Sequence, residues 1–185
     1  CTKYLNGHSD IVAGAIIGSS EHIEQITHKL NHLGGTLDPH ACYLLHRGVK
    51  TLALRMARHN ESALKIAQFL HEHPAVEHVN YPGLPDHPDY KRAQELFDGF
   101  SGMLSIELKG GLETAKRFMD RVKLPVVAPS LGGIETLVTR PATTSHSGML
   151  SDEREAVGIT DSLVRVSIGI EDVDDLISDF DQALS

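Results

Sequence analysis

A lysine among small polar residues is the first feature of this sequence that could perform chemistry. Lys3 lies between Thr2 and Tyr4, and the run N-G-H-S-D at 6–10 follows closely. A lysine amine attacks a carbonyl carbon only as the neutral base, so burial or a neighbouring charge must lower its pKa from about 10.4. Because lysine is rarely buried, the residue types alone favour an ordinary solvated lysine.

Arg165 is a second candidate, in the alternating stretch L-V-R-V-S-I. The alternation predicts a strand with Val164, Val166 and Ile168 on one face and Arg165 on the other. A planar guanidinium can bind a carboxylate through two parallel hydrogen bonds. An arginine on a solvated strand face is the alternative, and the residues alone favour it.

Histidines are frequent, at 12 of 185 residues, and raise the question of a metal site. His28 and His32 have the i, i+4 spacing of zinc ligands on a helix, and three more lie near a predicted turn. The spacing offers no third ligand and no acidic general base between the pair. We therefore predict that the chain has no metal site.

Composition excludes several classes of function. The chain is 41% hydrophobic with a formal net charge of -8, and it lacks the basic clusters that hold a phosphate backbone or an anionic membrane. No apolar run reaches the roughly 18 residues of a membrane span. Two cysteines form no disulfide framework and fit a reducing cytosol, so we expect a soluble cytoplasmic protein without nucleic-acid or membrane partners.

Strand and helix signals alternate along the chain, which predicts an α/β protein. The β-branched run at 11–17 predicts a strand buried on both faces. Apolar residues spaced by three and four predict a helix from Glu21 that ends at Gly34. Asp38 and a following proline predict the start of a long helix over 41–70, with a kink or break near Gly48.

The remainder of the chain reads as a small α+β domain. A proline-rich connector leads into segments of alternating period, and the boundary between subdomains is expected inside the long helix. The predicted strands lie at 102–108, 134–139 and 163–168, and the predicted helices at 112–122 and 173–184.

Five ordered blocks of sequence resemble one enzyme family. The blocks are T-K-Y-L-N-G-H-S-D at 2–10, L-L-H-R-G-V-K-T-L at 44–52, Y-P-G-L-P at 81–85, S-L-G-G-I-E-T at 130–136 with P-A-T-T-S-H at 141–146, and L-V-R-V-S-I-G-I-E-D at 163–172. They resemble the pyridoxal-phosphate enzymes of cysteine and methionine metabolism, a family that includes cystathionine γ-synthase, cystathionine γ-lyase and methionine γ-lyase.

The resemblance implies an architecture. The chain would be the C-terminal half of a fold-type I pyridoxal-phosphate enzyme, with the end of the large cofactor domain at 1–60, including the start of the interdomain helix, and a small C-terminal domain at 61–185. The N-terminal half of the enzyme would supply the aspartate and the aromatic residue that bind the cofactor ring, and most phosphate ligands. A homotetramer, built as a dimer of dimers, is implied as well.

The resemblance also implies roles for five residues. Lys3 would bind pyridoxal phosphate covalently as an internal aldimine and then move protons among substrate carbons, while Thr2 would donate to the cofactor phosphate. Arg165 would bind the substrate α-carboxylate. Ser130 would position that carboxylate or the lysine amine, and Glu135 would receive the distal ammonium of a cystathionine-like substrate; a solvated carboxylate is an equal alternative for Glu135.

The activity implied is elimination at the β or γ carbon, or replacement at the γ carbon, of a sulfur amino acid. Glu135 favours the cystathionine γ-synthase or cystathionine γ-lyase type of reaction. Methionine γ-lyase and O-acylhomoserine sulfhydrylase are alternatives within the family. A non-catalytic module that cannot hold cofactor alone is the alternative from another class.

Overall fold

The chain divides inside a long helix. The computed structural model describes residues 1–185, which separate into unit 1, Cys1–Ala53, and unit 2, Leu54–Ser185. The division falls in the first turn of the helix Leu52–Glu72. The boundary predicted between 60 and 61 lies in the same helix, and the assignment of 1–60 to a cofactor domain stays a prediction.

The first helix of unit 1, α1, spans Ser20–Leu33 and begins and ends as predicted. The hydroxyl of Ser19 accepts a hydrogen bond from the backbone N–H of His22, which satisfies one free donor of the first turn. Gly34 ends the helix at φ 78°, in the left-handed region that glycine tolerates, and its N–H donates to the Leu30 carbonyl.

The second helix, α2, spans Pro39–Val49. The Asp38 carboxylate accepts from the backbone N–H groups of His40 and Ala41 at 2.9 and 3.1 Å, which confirms the predicted N-cap. Proline in the first turn removes an N–H that would have no helical partner.

The predicted long helix is broken into two. After α2 ends, the N–H of Thr51 donates to the carbonyl of Gly48 at 3.2 Å, a tightened final turn, and α3 then runs over Leu52–Glu72. The break lies at Lys50 and Thr51, close to the predicted position.

The strand predicted at 11–17 does not form, and this prediction is wrong. The segment lies outside any helix or strand, with Val12 85% and Ile17 95% exposed. A strand needs a neighbour to pair its N–H and C=O groups, and unit 1 contains no strand. The β-branched residues have a high strand propensity, but propensity alone does not form a strand when no partner strand is present.

Unit 2 is built on a mixed five-stranded sheet. Its strands are β1 (Val76–Asn80), β2 (Met103–Leu108), β3 (Val126–Val127), β4 (Leu137–Thr139) and β5 (Leu163–Ser167). In space they follow the order β1-β2-β5-β4-β3, with a parallel β3–β4 pair and three antiparallel pairs. The mixed sheet and its helices confirm the α/β class.

Further helices of unit 2 lie between consecutive strands or, in the case of the last helix, after the final strand. They are α4 (Tyr90–Leu96), α5 (Gly111–Arg121), a short 3-10 turn (Pro141–Thr143), α6 (Ser151–Ala156) and α7 (Val173–Leu184). None of the helices in the chain is both long and apolar enough to cross a bilayer.

The core of unit 2 is formed by the sheet together with α3, α5 and α7. On β2, Leu104, Ile106 and Leu108 are at most 3% exposed, which confirms the predicted alternation. Phe118 of α5 stacks on Phe180 of α7 with ring centroids 5.9 Å apart. Both aromatic side chains are buried, so this ring contact holds α5 and α7 against each other.

Four elements carry too little periodicity to be predicted, namely β1, β3, α4 and α6. The two strands have five and two residues, and the two helices have seven and six. β4 starts at Leu137, three residues later than predicted from Ile134, because the preceding residues form a loop against β5.

Candidate functional site

Arg165 lies in the middle of β5, the central strand of the sheet. Its Cα partners are Ser105 on β2 and Thr139 on β4, so its backbone is held from both sides. Val166 on the opposite face is fully buried, as predicted. On the same face, Ser167 is 1% exposed and Arg165 is half-buried, so that face is not fully solvated.

The Arg165 guanidinium keeps a buried donor without a partner. Its Nη2 donates to the Ser130 carbonyl at 2.6 Å, whereas its Nε–H is buried and has no hydrogen-bond partner. Leaving a buried donor unsatisfied costs about 1–3 kcal/mol, and more on a charged group. Burial also lowers the pKa of Arg165 from its ordinary value, and a bound anion would counter that effect.

Ser130 adopts a backbone conformation that side chains disfavour. Its φ is 96°, and a non-glycine residue there carries strain of about 1–3 kcal/mol. Such a conformation persists only where the surrounding structure imposes it. Strain of this kind concentrates at ligand sites, and here it accompanies the contact between the Ser130 carbonyl and Arg165.

The segment 130–136, which we call the Ser130 loop, lies along β5 and the residues after it. The Gly132 N–H donates to the Ser167 hydroxyl at 2.9 Å, and the Ile170 N–H donates to the Ile134 carbonyl at 2.9 Å. Glu135 is a half-buried member of the same loop. Unit 2 thus brings Arg165 into contact with Ser130 and places Glu135 on the loop that Ser130 begins.

Two residues of this region were missed by the sequence reasoning. Thr136 is fully buried, and both its backbone N–H and its hydroxyl donate to the Glu171 carboxylate. The partners are 35 residues apart, so no local spacing signals the pair. Both residues lie in the sequence blocks that resemble the family, and this was the one signal that could have pointed to them.

Thr2 and Lys3 lie in a turn of unit 1. The Lys3 carbonyl accepts from the Gly7 N–H at 2.8 Å, and Lys3 is half-buried. The Thr2 hydroxyl accepts from the Ala13 N–H at 2.9 Å and lies 3.3 Å from the Ala13 carbonyl oxygen. These two predicted residues are adjacent, and they belong to a different unit from Arg165.

The turn that carries Lys3 packs directly against α2 at Gly48. A Cβ added to Gly48 would lie 3.0 Å from both Cα and the carbonyl carbon of Asn6, and closer still to the Asn6 oxygen. Asn6 is 1% exposed, and its amide donates to the Asp10 carboxylate at 2.6 Å. Direct backbone packing therefore fixes this turn.

His59 of α3 lies under the end of β5. It is fully buried, and its Nδ1 is 2.7 Å from the Ile168 carbonyl oxygen, which identifies Nδ1 as the protonated nitrogen. Burial is the main cause that lowers the pKa of His59 below 6.5, and the Arg55 charge adds to it. His59 therefore acts as a neutral structural donor.

The histidine pair on α1 makes contacts of its own. The rings of His28 and His32 stack with centroids 4.4 Å apart, and His32 Nδ1 lies 2.7 Å from the His28 carbonyl oxygen. No group of three or more histidine, cysteine, aspartate or glutamate side chains in the structure is arranged to hold a metal ion.

Comparison with known proteins places these residues in context. All of residues 1–185 match the family described as Cys/Met metabolism PLP-dependent enzyme. Cystathionine gamma-lyase of Sus scrofa is 47% identical over 184 residues, which are 99% of this chain and 45% of the relative. Cystathionine gamma-synthase 1, chloroplastic, of Arabidopsis thaliana is 46% identical over 183 residues, which are 99% of this chain and 32% of the relative.

An enzyme of a third name is equally similar. L-methionine gamma-lyase of Fusobacterium nucleatum subsp. polymorphum is 45% identical over 185 residues, which are 99% of this chain and 47% of the relative. The chain therefore spans between a third and a half of the length of these relatives. Identities of 45–47% to enzymes of three names do not single out one reaction.

Proposed function

Because the chain belongs to the Cys/Met metabolism PLP-dependent enzyme family, we propose that it is the C-terminal half of such an enzyme. The enzyme acts on a sulfur amino acid by elimination at the β or γ carbon or by replacement at the γ carbon. Its reaction is of the cystathionine γ-synthase or cystathionine γ-lyase type, in keeping with the similarity to enzymes of those names.

The observation that carries the proposal is the buried, unpaired Nε–H of Arg165. An amino-acid substrate presents an α-carboxylate, and a carboxylate oxygen is the charged acceptor that this donor lacks. The contact between Nη2 and the Ser130 carbonyl fixes the plane of the guanidinium before substrate arrives. Ser130 thus positions the residue that binds the carboxylate.

The residues of unit 1 fit pyridoxal phosphate by the chemistry of their groups. The Lys3 amine would hold the cofactor through its aldehyde carbon, and the Thr2 hydroxyl would donate to its phosphate after turning from the Ala13 carbonyl. When bound, pyridoxal phosphate supplies an electron sink that stabilises a carbanion next to the substrate amine. The orphaned Arg165 Nε–H is a matching substrate donor in unit 2.

Each residue then has a defined task. Lys3 removes and returns a proton as general base once its amine is free, a role that a neutral amine can perform. Glu135 presents a carboxylate to the distal ammonium of a cystathionine-like substrate, and its place on the Ser130 loop is compatible with this role. Arg165 binds the substrate α-carboxylate through its guanidinium, a charge-assisted contact.

The rest of the enzyme is part of the proposal. An N-terminal half supplies the remaining groups that hold the cofactor ring and phosphate, in keeping with relatives two to three times longer than this chain. The enzyme assembles as a homotetramer, a dimer of dimers, and works in the cytoplasm.

Three alternatives are tested against this proposal. Methionine γ-lyase is favoured by the 45% identity to an enzyme of that name, and O-acylhomoserine sulfhydrylase shares the same chemistry. A non-catalytic C-terminal module is the alternative from a different class.

A turnover assay of the purified full-length protein separates these possibilities. Cystathionine alone, methionine alone, O-succinylhomoserine with cysteine, and O-succinylhomoserine with sulfide are supplied in the presence of pyridoxal phosphate, and turnover with sulfide in preference to cysteine would assign the sulfhydrylase reaction. We expect turnover of cystathionine, or its formation from O-succinylhomoserine and cysteine. Turnover of methionine in preference to both would assign the methionine γ-lyase reaction, and no turnover of any substrate would support the non-catalytic module.

A further inference from the structure

The Glu171 carboxylate binds Thr136 through both of its oxygens. Oε1 accepts from the Thr136 backbone N–H at 2.5 Å, and Oε2 accepts from the Thr136 hydroxyl at 2.8 Å. Thr136 is fully buried at the end of the Ser130 loop, whereas Glu171 follows β5. We call this pair of hydrogen bonds the Thr136–Glu171 clasp.

A third contact completes the clasp. The Gly169 N–H donates to the Thr136 hydroxyl oxygen at 2.9 Å, so that hydroxyl accepts from Gly169 and donates to Glu171. A Cβ at Gly169 would lie 2.6 Å from the carbonyl carbon of Glu135 and would also meet the Ile134 oxygen. The backbones therefore approach so closely that only glycine fits at residue 169.

The helix α3 holds the far side of the clasp. Arg58 Nη2 donates to the Glu171 carbonyl at 3.1 Å, and His59 Nδ1 donates to the Ile168 carbonyl at 2.7 Å. The backbone carbonyls of the segment after β5 therefore bind α3. The Glu171 carboxylate and the Gly169 N–H of the same segment bind Thr136. The end of the Ser130 loop is therefore connected through the segment after β5 to helix α3.

We propose that Glu171 is a positioning residue for substrate binding, which acts through Thr136 on the Ser130 loop and so on the Arg165 guanidinium. The clasp fixes one end of the loop, and the strained Ser130 at the other end directs its carbonyl to Arg165. Without the clasp, the strain at Ser130 is released and the guanidinium loses its fixed plane. The proposal rests on the proposed function, because it assigns Arg165 to the substrate carboxylate.

Steady-state kinetics of the full-length enzyme test the proposal through a double-mutant cycle. Glu171→Ala removes both hydrogen bonds of the clasp, whereas Thr136→Val removes the one from the hydroxyl and leaves the one from the backbone N–H. Glu171→Ala should raise KM for the amino-acid substrate roughly tenfold, equivalent to about 1.4 kcal/mol, and Thr136→Val should raise KM by a smaller factor. The change in kcat should be smaller, because the lost interaction orients substrate in the ground state and the transition state alike. The double variant should raise KM by less than the two single effects combined, because the bond between hydroxyl and carboxylate is lost in both.

Two variants serve as controls. Thr136→Ser keeps the hydroxyl and should keep KM within about twofold, since the hydrogen bonds survive. Asp172→Asn changes the neighbouring carboxylate, which caps α7 by accepting from the backbone N–H groups of Asp174 and Asp175. Asparagine is an equally good N-cap, so KM should stay unchanged.

Hydrogen exchange provides a readout that does not depend on turnover. In Glu171→Ala, the amides of Thr136 and Gly169 should lose protection while the amides of β5 keep theirs. Additive KM effects, or unchanged KM in both single variants, would overturn the proposal. If Arg165→Ala also left KM unchanged, the proposed function itself would fail; if only Arg165→Ala raised KM, this inference alone would fail.

Discussion

At the scale of single residues, the surroundings of Arg165 are the basis for proposing it as a ligand-binding residue. A strand paired on both sides holds its backbone, and the Ser130 carbonyl holds one edge of its guanidinium. The remaining Nε–H is buried without an acceptor, a cost that a protein recovers when an anion binds. The pairing of a strained residue with an unsatisfied donor is the reason to place substrate there.

Replacing Arg165 by lysine tests this account. Arg165→Lys keeps the charge but loses the planar fork, so KM for the amino-acid substrate should rise by roughly tenfold or more. Arg117→Lys on the exposed face of α5 is the matched control and should leave KM unchanged. Equal KM in wild type and Arg165→Lys, measured by initial rates, would show that the fork does not bind substrate.

At the scale of elements, a helix seats the turn that carries Lys3. Gly48 brings the α2 backbone against the Asn6 backbone, where no side chain fits. Asn6 follows Lys3 in the same turn and is buried. The position of the lysine therefore depends on a glycine 45 residues later in the sequence.

The variant Gly48→Ala should strain this contact. The added methyl group collides with the Asn6 carbonyl, and overpacking of this kind costs about 1–3 kcal/mol. We expect lower stability in urea unfolding and lower pyridoxal-phosphate occupancy by visible absorbance. Gly14→Ala, in the same unit and with nothing within 4 Å of its added Cβ, should change neither property. A wild-type-like Gly48→Ala would show that the turn adapts without cost.

The elements also show where prediction from sequence succeeds. The caps at Asp38 and Gly34 were predicted because each is a local signal, complete within a few residues. The strand at 11–17 was wrong because a strand depends on a neighbour that local propensity does not report. Arg165 is a candidate from the strand alternation and from the family resemblance, Ser130 from the resemblance alone, and the structure shows their direct contact.

Other features could not be predicted because they join distant residues. The Thr136–Glu171 clasp depends on how the Ser130 loop folds back along β5, which no periodicity encodes. The unpaired donor of Arg165 is likewise a property of packing. Sequence supplied the residue types, and tertiary structure decided which of them meet.

At the scale of the whole molecule, the buried His59 couples stability to pH. Its pKa is lowered in the folded state because burial disfavours the charged ring. The unfolded state, with the ordinary value of 6.5, therefore binds a proton first as pH falls. The stability from neutral His59 is fully present above pH 6.5 and is lost progressively as pH falls from 6.5 towards the lowered folded-state value.

Denaturant unfolding at several pH values checks this direction. As the pH is lowered from about 8 to about 5, a range that covers histidine titration, the free energy of unfolding of wild type should fall relative to that of His59→Gln. The variant has no titrating ring at this position. His46→Gln, at an exposed position of α2, controls for the removal of a histidine. A stability advantage of wild type over His59→Gln that grows as pH falls would contradict the lowered pKa.

The central claim, that this chain carries the cofactor lysine, is tested most directly by locating the covalent attachment. The full-length protein is loaded with pyridoxal phosphate, reduced with borohydride, digested and analysed by mass spectrometry. We predict the pyridoxyl phosphate group on Lys3, its loss in Lys3→Arg, and its retention in Lys50→Arg. Modification of another lysine, or of none, would contradict the account.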